Sequence, residues 1–203
     1  MRMWRRGLRS TKDYVALFKA AFPSDKELVT VDNSAKAIGA FERTLVTPAP
    51  FDSYLKGDEK ALTLVQRHGL KTIMDTGCMG CHSGTYVGGQ MYQKFGIIEP
   101  YWKYTKSEKI DEGRYAVTKA ETDKYLFKVP VLRNVEKTPP YFHDGSIDTL
   151  RQAVLIMAKV QLCKELSGQQ TGEIVDFLKA LTGEIPRYSI IFCQSIADLR
   201  SGG

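Results

Sequence analysis

No run in the 203-residue chain approaches 18 uninterrupted apolar residues, so the pattern excludes a membrane-spanning helix. The N-terminus, Met1-Arg2-Met3-Trp4-Arg5-Arg6-Gly7-Leu8, is basic but has no apolar segment of the secretory kind, because Arg9, Lys12 and Asp13 interrupt it. Its adjacent arginines resemble a twin-arginine signal only superficially. Seventeen glycines and eight prolines are close to ordinary usage, which excludes collagen-like and low-complexity classes. Four cysteines are too few for a disulfide scaffold. The net charge of +6 is mild, its basic residues are interspersed with acids, and no aromatic–basic stripe marks a nucleic-acid binder. It permits an acidic partner surface without identifying one. What is present is a chain with 43% hydrophobic residues, long enough for one domain or for one domain with part of a second.

Hydrophobic periodicity predicts a mainly helical chain. Tyr14, Val15, Leu17, Phe18 and Ala21 recur at helical spacing before Pro23-Ser24-Asp25 breaks the pattern. A second helix opens at Asp32-Asn33-Ser34 and carries Ile38, Phe41 and Leu45 on one side. It ends before Thr47-Pro48-Ala49-Pro50, since residues preceding proline avoid the helical region. A domain boundary is expected there, giving 1–46, 47–186 and a weakly constrained tail, 187–203. Two short helices cannot bury their own apolar faces, so residues 11–46 read as the end of a larger unit. Further helices are expected over 58–75, 146–160 and 171–181. Residues 77–119 read as a long functional loop, 125–135 as mostly extended, and Thr138-Pro139-Pro140 as a rigid turn.

The chemistry concentrates in Cys78-Met79-Gly80-Cys81-His82, the C-x-x-C-H pattern for covalent attachment of c-type haem. Two thiols three positions apart reach the two vinyl groups on one porphyrin edge. The following histidine is delivered under the ring as an iron ligand. A thioredoxin-like redox pair would want a preceding strand and has no use for His82. A zinc site would want two further ligands, and Cys163, Cys193, His68 and His143 are scattered singly. Met91, His143 and Met157 are the candidates for the sixth iron position. Met157 lies in the stripe Ile147, Leu150, Val154, Met157, which by pattern alone reads first as core packing, so spacing puts it only slightly ahead of the other two candidates.

Several segments resemble the bacterial di-haem cytochrome c peroxidases in collinear order over residues 13–186. They are Ala40-Phe41-Glu42-Arg43-Thr44-Leu45, Gly77 to His82, Gly88-Gly89-Gln90-Met91, Phe127 to Val135, Pro140-Tyr141-Phe142-His143-Asp144-Gly145 and Ile174 to Glu184. The resemblance implies an all-α, cytochrome c-like domain around one covalent haem, with long irregular loops. Members of the family hold two such domains, a peroxidatic one that reduces hydrogen peroxide to water and an electron-transfer one fed by a small donor of cytochrome c or cupredoxin type. This chain looks like the second, preceded by the closing helices of the first, whose haem motif and acid/base machinery it lacks. By the same resemblance His82 and Met157 ligate the haem iron, and Arg133 and His143 meet its propionates. Backbone carbonyls of Thr138 and Pro140 correspond to calcium ligands. Gly69 and Phe177 are candidates for the contact where first and last helices cross, and the location is periplasmic, with homodimers common. Cys163 stands where relatives usually have glycine. A stand-alone mono-haem carrier and a product that never receives haem are the competing expectations.

Overall fold

The computed structural model describes residues 2–186, so the tail 187–203 and its Cys193 lie outside the described residues. Helices dominate, and the chain divides into two compact units, one reaching Val46 and rejoined from Ile185, the other spanning Thr47–Glu184.

The first unit contains α1 (Arg2–Ser10), α2 (Lys12–Ala21) and α3 (Val31–Glu42). α1 is a helix that the periodicity did not signal, because its residues alternate bulk and positive charge without a sustained apolar stripe. α3 starts one residue before the expected Asp32, since the Thr30 side chain accepts from the Asn33 N–H and caps the first turn. Its buried residue is polar: Asn33 donates to Asp25 Oδ2 at 2.8 Å and to the Leu28 carbonyl at 3.0 Å. The apolar stripe Ile38, Phe41 and Leu45 is exposed, at 59%, 42% and 41%.

The second unit begins with α4 (Pro50–Leu55), where Pro50 takes the first helical position and Asp52 accepts from the Ala49 N–H at 2.7 Å. α5 (Leu64–Thr76) starts later than its apolar pattern suggested, because Thr63 and Gln66 form a reciprocal capping box. α7 (Leu150–Leu162) is capped by Thr149, and α8 (Gly168–Lys179) by a second box between Ser167 and Gln170. The expected long loop is less irregular than its composition implied. A short hairpin pairs β1 (Tyr92–Lys94) with β2 (Leu126–Lys128), and a single turn, α6 (Tyr115–Thr118), lies between them. Tyr101, fully buried, stacks on Phe95 and anchors this region. Its hydroxyl accepts from the Asp111 N–H at 2.9 Å and donates to the Asp111 carbonyl at 3.1 Å.

α5 and α8 cross where Gly69 lies against Glu173 and Phe177. A Cβ at Gly69 would stand 1.9 Å from the Glu173 carbonyl oxygen and 2.9 Å from the Phe177 Cβ. Only a residue without a side chain allows this approach, and it brings Phe177 into the core with Ile73, Ile174 and Phe51. The expected glycine–aromatic crossing is thus present.

The motif Arg133-Asn134 ties both ends of this unit together. Arg133 grips Asp52 through two bonds of 2.6 and 2.7 Å and donates its Nε–H to the Thr85 carbonyl. Asn134 donates to Thr47 Oγ1 and accepts from the Gly183 N–H. The Arg133 guanidinium, donating into a hydrogen bond, holds the Asp52 carboxyl below its ordinary pKa. A depressed folded value means the stabilisation is present above the unfolded value of about 3.9 and is lost as pH falls through the folded one. Asp52→Asn is therefore expected to cost about 2 kcal/mol at neutral pH. The variant should also lose the part of the acid-unfolding slope that this carboxyl carries, measured by circular dichroism from pH 7 to 2.

Candidate haem site

α5 ends at Gly77 in the left-handed conformation and leads directly into a single turn, Cys78–Gly80. The Cys81 and His82 N–H groups both donate to the Cys78 carbonyl, at 3.2 and 3.0 Å, so the two thiols and the imidazole leave one tight turn together. Cys78 and Cys81 are free thiols, and the Thr76 hydroxyl lies 3.3 Å from Cys78 Sγ. A helix, not a strand, precedes the pair, which disfavours the thioredoxin-like alternative. Among the described residues no group of three His, Cys, Asp or Glu side chains gathers to hold a metal ion.

The turn opens onto an almost wholly apolar cavity of about 450 Å³. Cys78, Cys81, His82 and Met157 all line it. α7 contributes Leu150, Val154 and Met157 at helical spacing, so that part of a stripe expected to be core packing lines the cavity, whereas Ile147 is buried with Tyr141 and Ala153. Met91 is not on that wall; it is 42% exposed, and its carbonyl pairs with the Val129 N–H in the hairpin region.

His82 fits a metal-bound imidazole. Burial pushes its pKa below the usual imidazole range, keeping it neutral as ligation requires. Its Nδ1 is buried without a well-formed hydrogen bond, although the Val87 and Pro130 backbone lies near enough to favour a proton there. Ligating histidines almost always donate their far N–H to such a carbonyl. Gly88 makes the approach feasible: a Cβ there would sit 2.4 Å from the Pro130 oxygen and 3.1 Å from His82 Nδ1. The residues present therefore fit a haem whose iron takes His82.

The remaining expected residues fall in different places. His143 lines the cavity, is exposed, and stacks on Phe127 with centroids 4.2 Å apart and edge-on to Tyr101 at 5.2 Å. Arg133 is not on the cavity wall; Asp52 and the Thr85 carbonyl engage its guanidinium, a role that no local sequence pattern announces. Thr138 and Pro140 are exposed and line the cavity, flanking Pro139 in the turn. Cys163 is the left-handed C-cap of α7, with φ 52°, a conformation that glycine adopts at less cost. Sequence reasoning missed Gln161, whose signal was its spacing of four from Met157 on one helix face.

The fold is helical and cytochrome c-like, and its cavity fits a c-type haem. The profile of the family described as Di-haem cytochrome c peroxidase matches residues 3–60. Cytochrome c551 peroxidase of Pseudomonas aeruginosa is 48% identical over 182 residues, covering 89% of this chain and 52% of that protein. Cytochrome c551 peroxidase of Nitrosomonas europaea is 44% identical over 182 residues, covering 89% and 53%. The chain belongs to the di-haem cytochrome c peroxidase family, a family of peroxidase oxidoreductases. It spans about half the length of the curated relatives it matches. The crystal structure of a MauG-like protein associated with microbial copper homeostasis shares the fold, with a TM-score of 0.72 at 24% identity over 89% of this chain and 61% of that one. Among the described residues no helix is long and apolar enough to cross a membrane.

Proposed function

We propose that the unit Thr47–Glu184 is an electron-transfer haem domain that serves a peroxidatic haem held in another domain. The observation that carries this reading is one apolar cavity lined at once by Cys78, Cys81, His82 and Met157. Bound there, haem c supplies a one-electron couple whose potential its axial ligands and surroundings set. Cys78 and Cys81 anchor it as thioethers, and His82, kept neutral by burial, ligates the iron. Met157 donates a soft thioether, which favours the reduced metal and fills the position a substrate would need.

Electrons would enter from a small donor of cytochrome c or cupredoxin type, steered by the mild positive charge. They would leave for the haem at which hydrogen peroxide becomes water. Residues 1–46, which the family profile matches from residue 3 onward, are read as the closing helices of that peroxidatic domain. His143 is the proposed propionate partner, since it lines the cavity, whereas Arg133 would need a donor not already engaged. The Thr138 and Pro140 carbonyls are proposed for calcium, and homodimers and a periplasmic location follow from the family resemblance.

The test is the absorbance spectrum of the chain produced with a haem-attachment system. The reduced protein should show the α band of thioether-linked haem and the oxidised protein a methionine–iron charge-transfer band. Peroxide should not drive oxidation of a reduced cytochrome by this chain alone. Rapid peroxide turnover, or absence of covalent haem, would overturn the assignment.

A further inference from the structure

Met157 and Gln161 stand one turn apart on α7, and both line the haem cavity. The Gln161 amide engages one distant segment through both its oxygen and its nitrogen. Its Oε1 accepts from the Gly96 N–H at 2.5 Å and the Ile97 N–H at 3.1 Å, and its Nε2 donates to the Lys94 carbonyl at 3.0 Å. These partners lie 64 to 67 residues away in the chain. Just beyond them, the Ile98 and Glu99 N–H groups donate to the Val160 carbonyl, at 2.9 and 3.4 Å. That carbonyl is among the last four of α7, which the helix cannot pair internally. Within the first attachment Phe95 is buried with Val160, and Met157 packs against the same cluster. Residues 94–99 therefore form a strap along the face of α7 that carries Met157, and Gln93, Phe95 and Ile97 alternate onto the cavity wall.

We propose that Gln161 is a positioning residue whose amide clamps this strap onto α7 and so closes the Met157 side of the haem cavity to water and competing ligands. The proposal rests on the reading that Met157 ligates the haem iron. A thioether is a weak neutral ligand, so its hold depends on how seldom the wall around it opens. Without the amide, two N–H groups and a carbonyl lose their partners in the closed state, at a cost that falls only on that state. The open state gains population, and the apparent affinity for an external ligand rises in proportion.

The haem-loaded full chain is compared with Gln161→Leu, which keeps bulk without hydrogen bonds, and Gln161→Glu, which keeps the acceptor for Gly96 and Ile97. The readouts are the methionine–iron charge-transfer band and its loss on titration with imidazole. All three proteins should show the band before titration. The leucine variant should bind imidazole about tenfold more tightly, and the glutamate variant should stay within about threefold of the unaltered protein. Should the leucine variant not fold, Gln161→Asn, too short to reach all three partners, takes its place with the same expectation. Imidazole affinity unchanged within about twofold in the leucine or asparagine variant overturns the clamp. An equal rise in imidazole affinity in the glutamate variant overturns it too, by assigning the effect to something other than the accepted bonds. Absence of the band in the unaltered protein instead overturns Met157 ligation, an outcome distinct from both.

Discussion

Met157→Ala is expected to abolish the methionine–iron charge-transfer band and to let imidazole or cyanide bind at least about a hundredfold more tightly. In the unaltered chain an external ligand must displace a side chain already tethered to the wall of the cavity, on a helix held by the Thr149 cap and the strap. Alanine removes that tethered competitor and leaves the rest of the wall in place. The thioether also favours the reduced metal, so the midpoint potential should fall by at least about 59 mV, one decade for a one-electron couple. Potentiometry and ligand titration on the same preparation check both effects. The reading of Met157 as mere packing predicts otherwise: a cavity cost in stability, with the spectrum and potential the same before and after substitution.

Gly69→Ala is expected to destabilise the haem domain by about 3 kcal/mol or more, at the upper end of overpacking costs. The new Cβ would stand 1.9 Å from a backbone oxygen of Glu173, which cannot rotate away as a side chain could. α5 and α8 would have to separate, loosening Ile73, Ile174 and Phe177 at once. Against a total stability of about 5–15 kcal/mol that loss is large. Gly172→Ala on α8 is the control. Its Cβ would meet only Arg151 Nη1 at 3.9 Å, so the helix-propensity gain should stabilise by about 0.5–1 kcal/mol. Urea unfolding of the two variants should thus shift in opposite directions. A small loss at Gly69 would mean the crossing is far softer than its geometry.

What could be read from the chain alone was local. Cys78, Cys81 and His82 sit within five residues, and covalent spacing settles which chemistry they suit before any folding is considered. The helices were legible where apolar residues recur with a period of 3.6. Their true starts depended on side chain–backbone caps such as Thr63 with Gln66, a pattern present in the sequence but overridden by the longer apolar run. α4 was hidden because its prolines read as a turn, although Pro50 at a first helical position with Asp52 behind it starts a helix. The three-residue strands of the hairpin are too short for any alternation to register.

The sequence by itself therefore determined the C-x-x-C-H turn, the helical class and the family resemblance. Each rests on residues close together in the chain or on motifs in fixed order. Tertiary structure alone decided which methionine faces the cavity, that Arg133 grips Asp52 81 residues away, and that Gln161 holds a strap more than sixty residues before it. The physical reason is the same in each case. A side chain's role is set by which atoms reach it, and contacts between distant segments leave no periodic trace in the sequence that makes them.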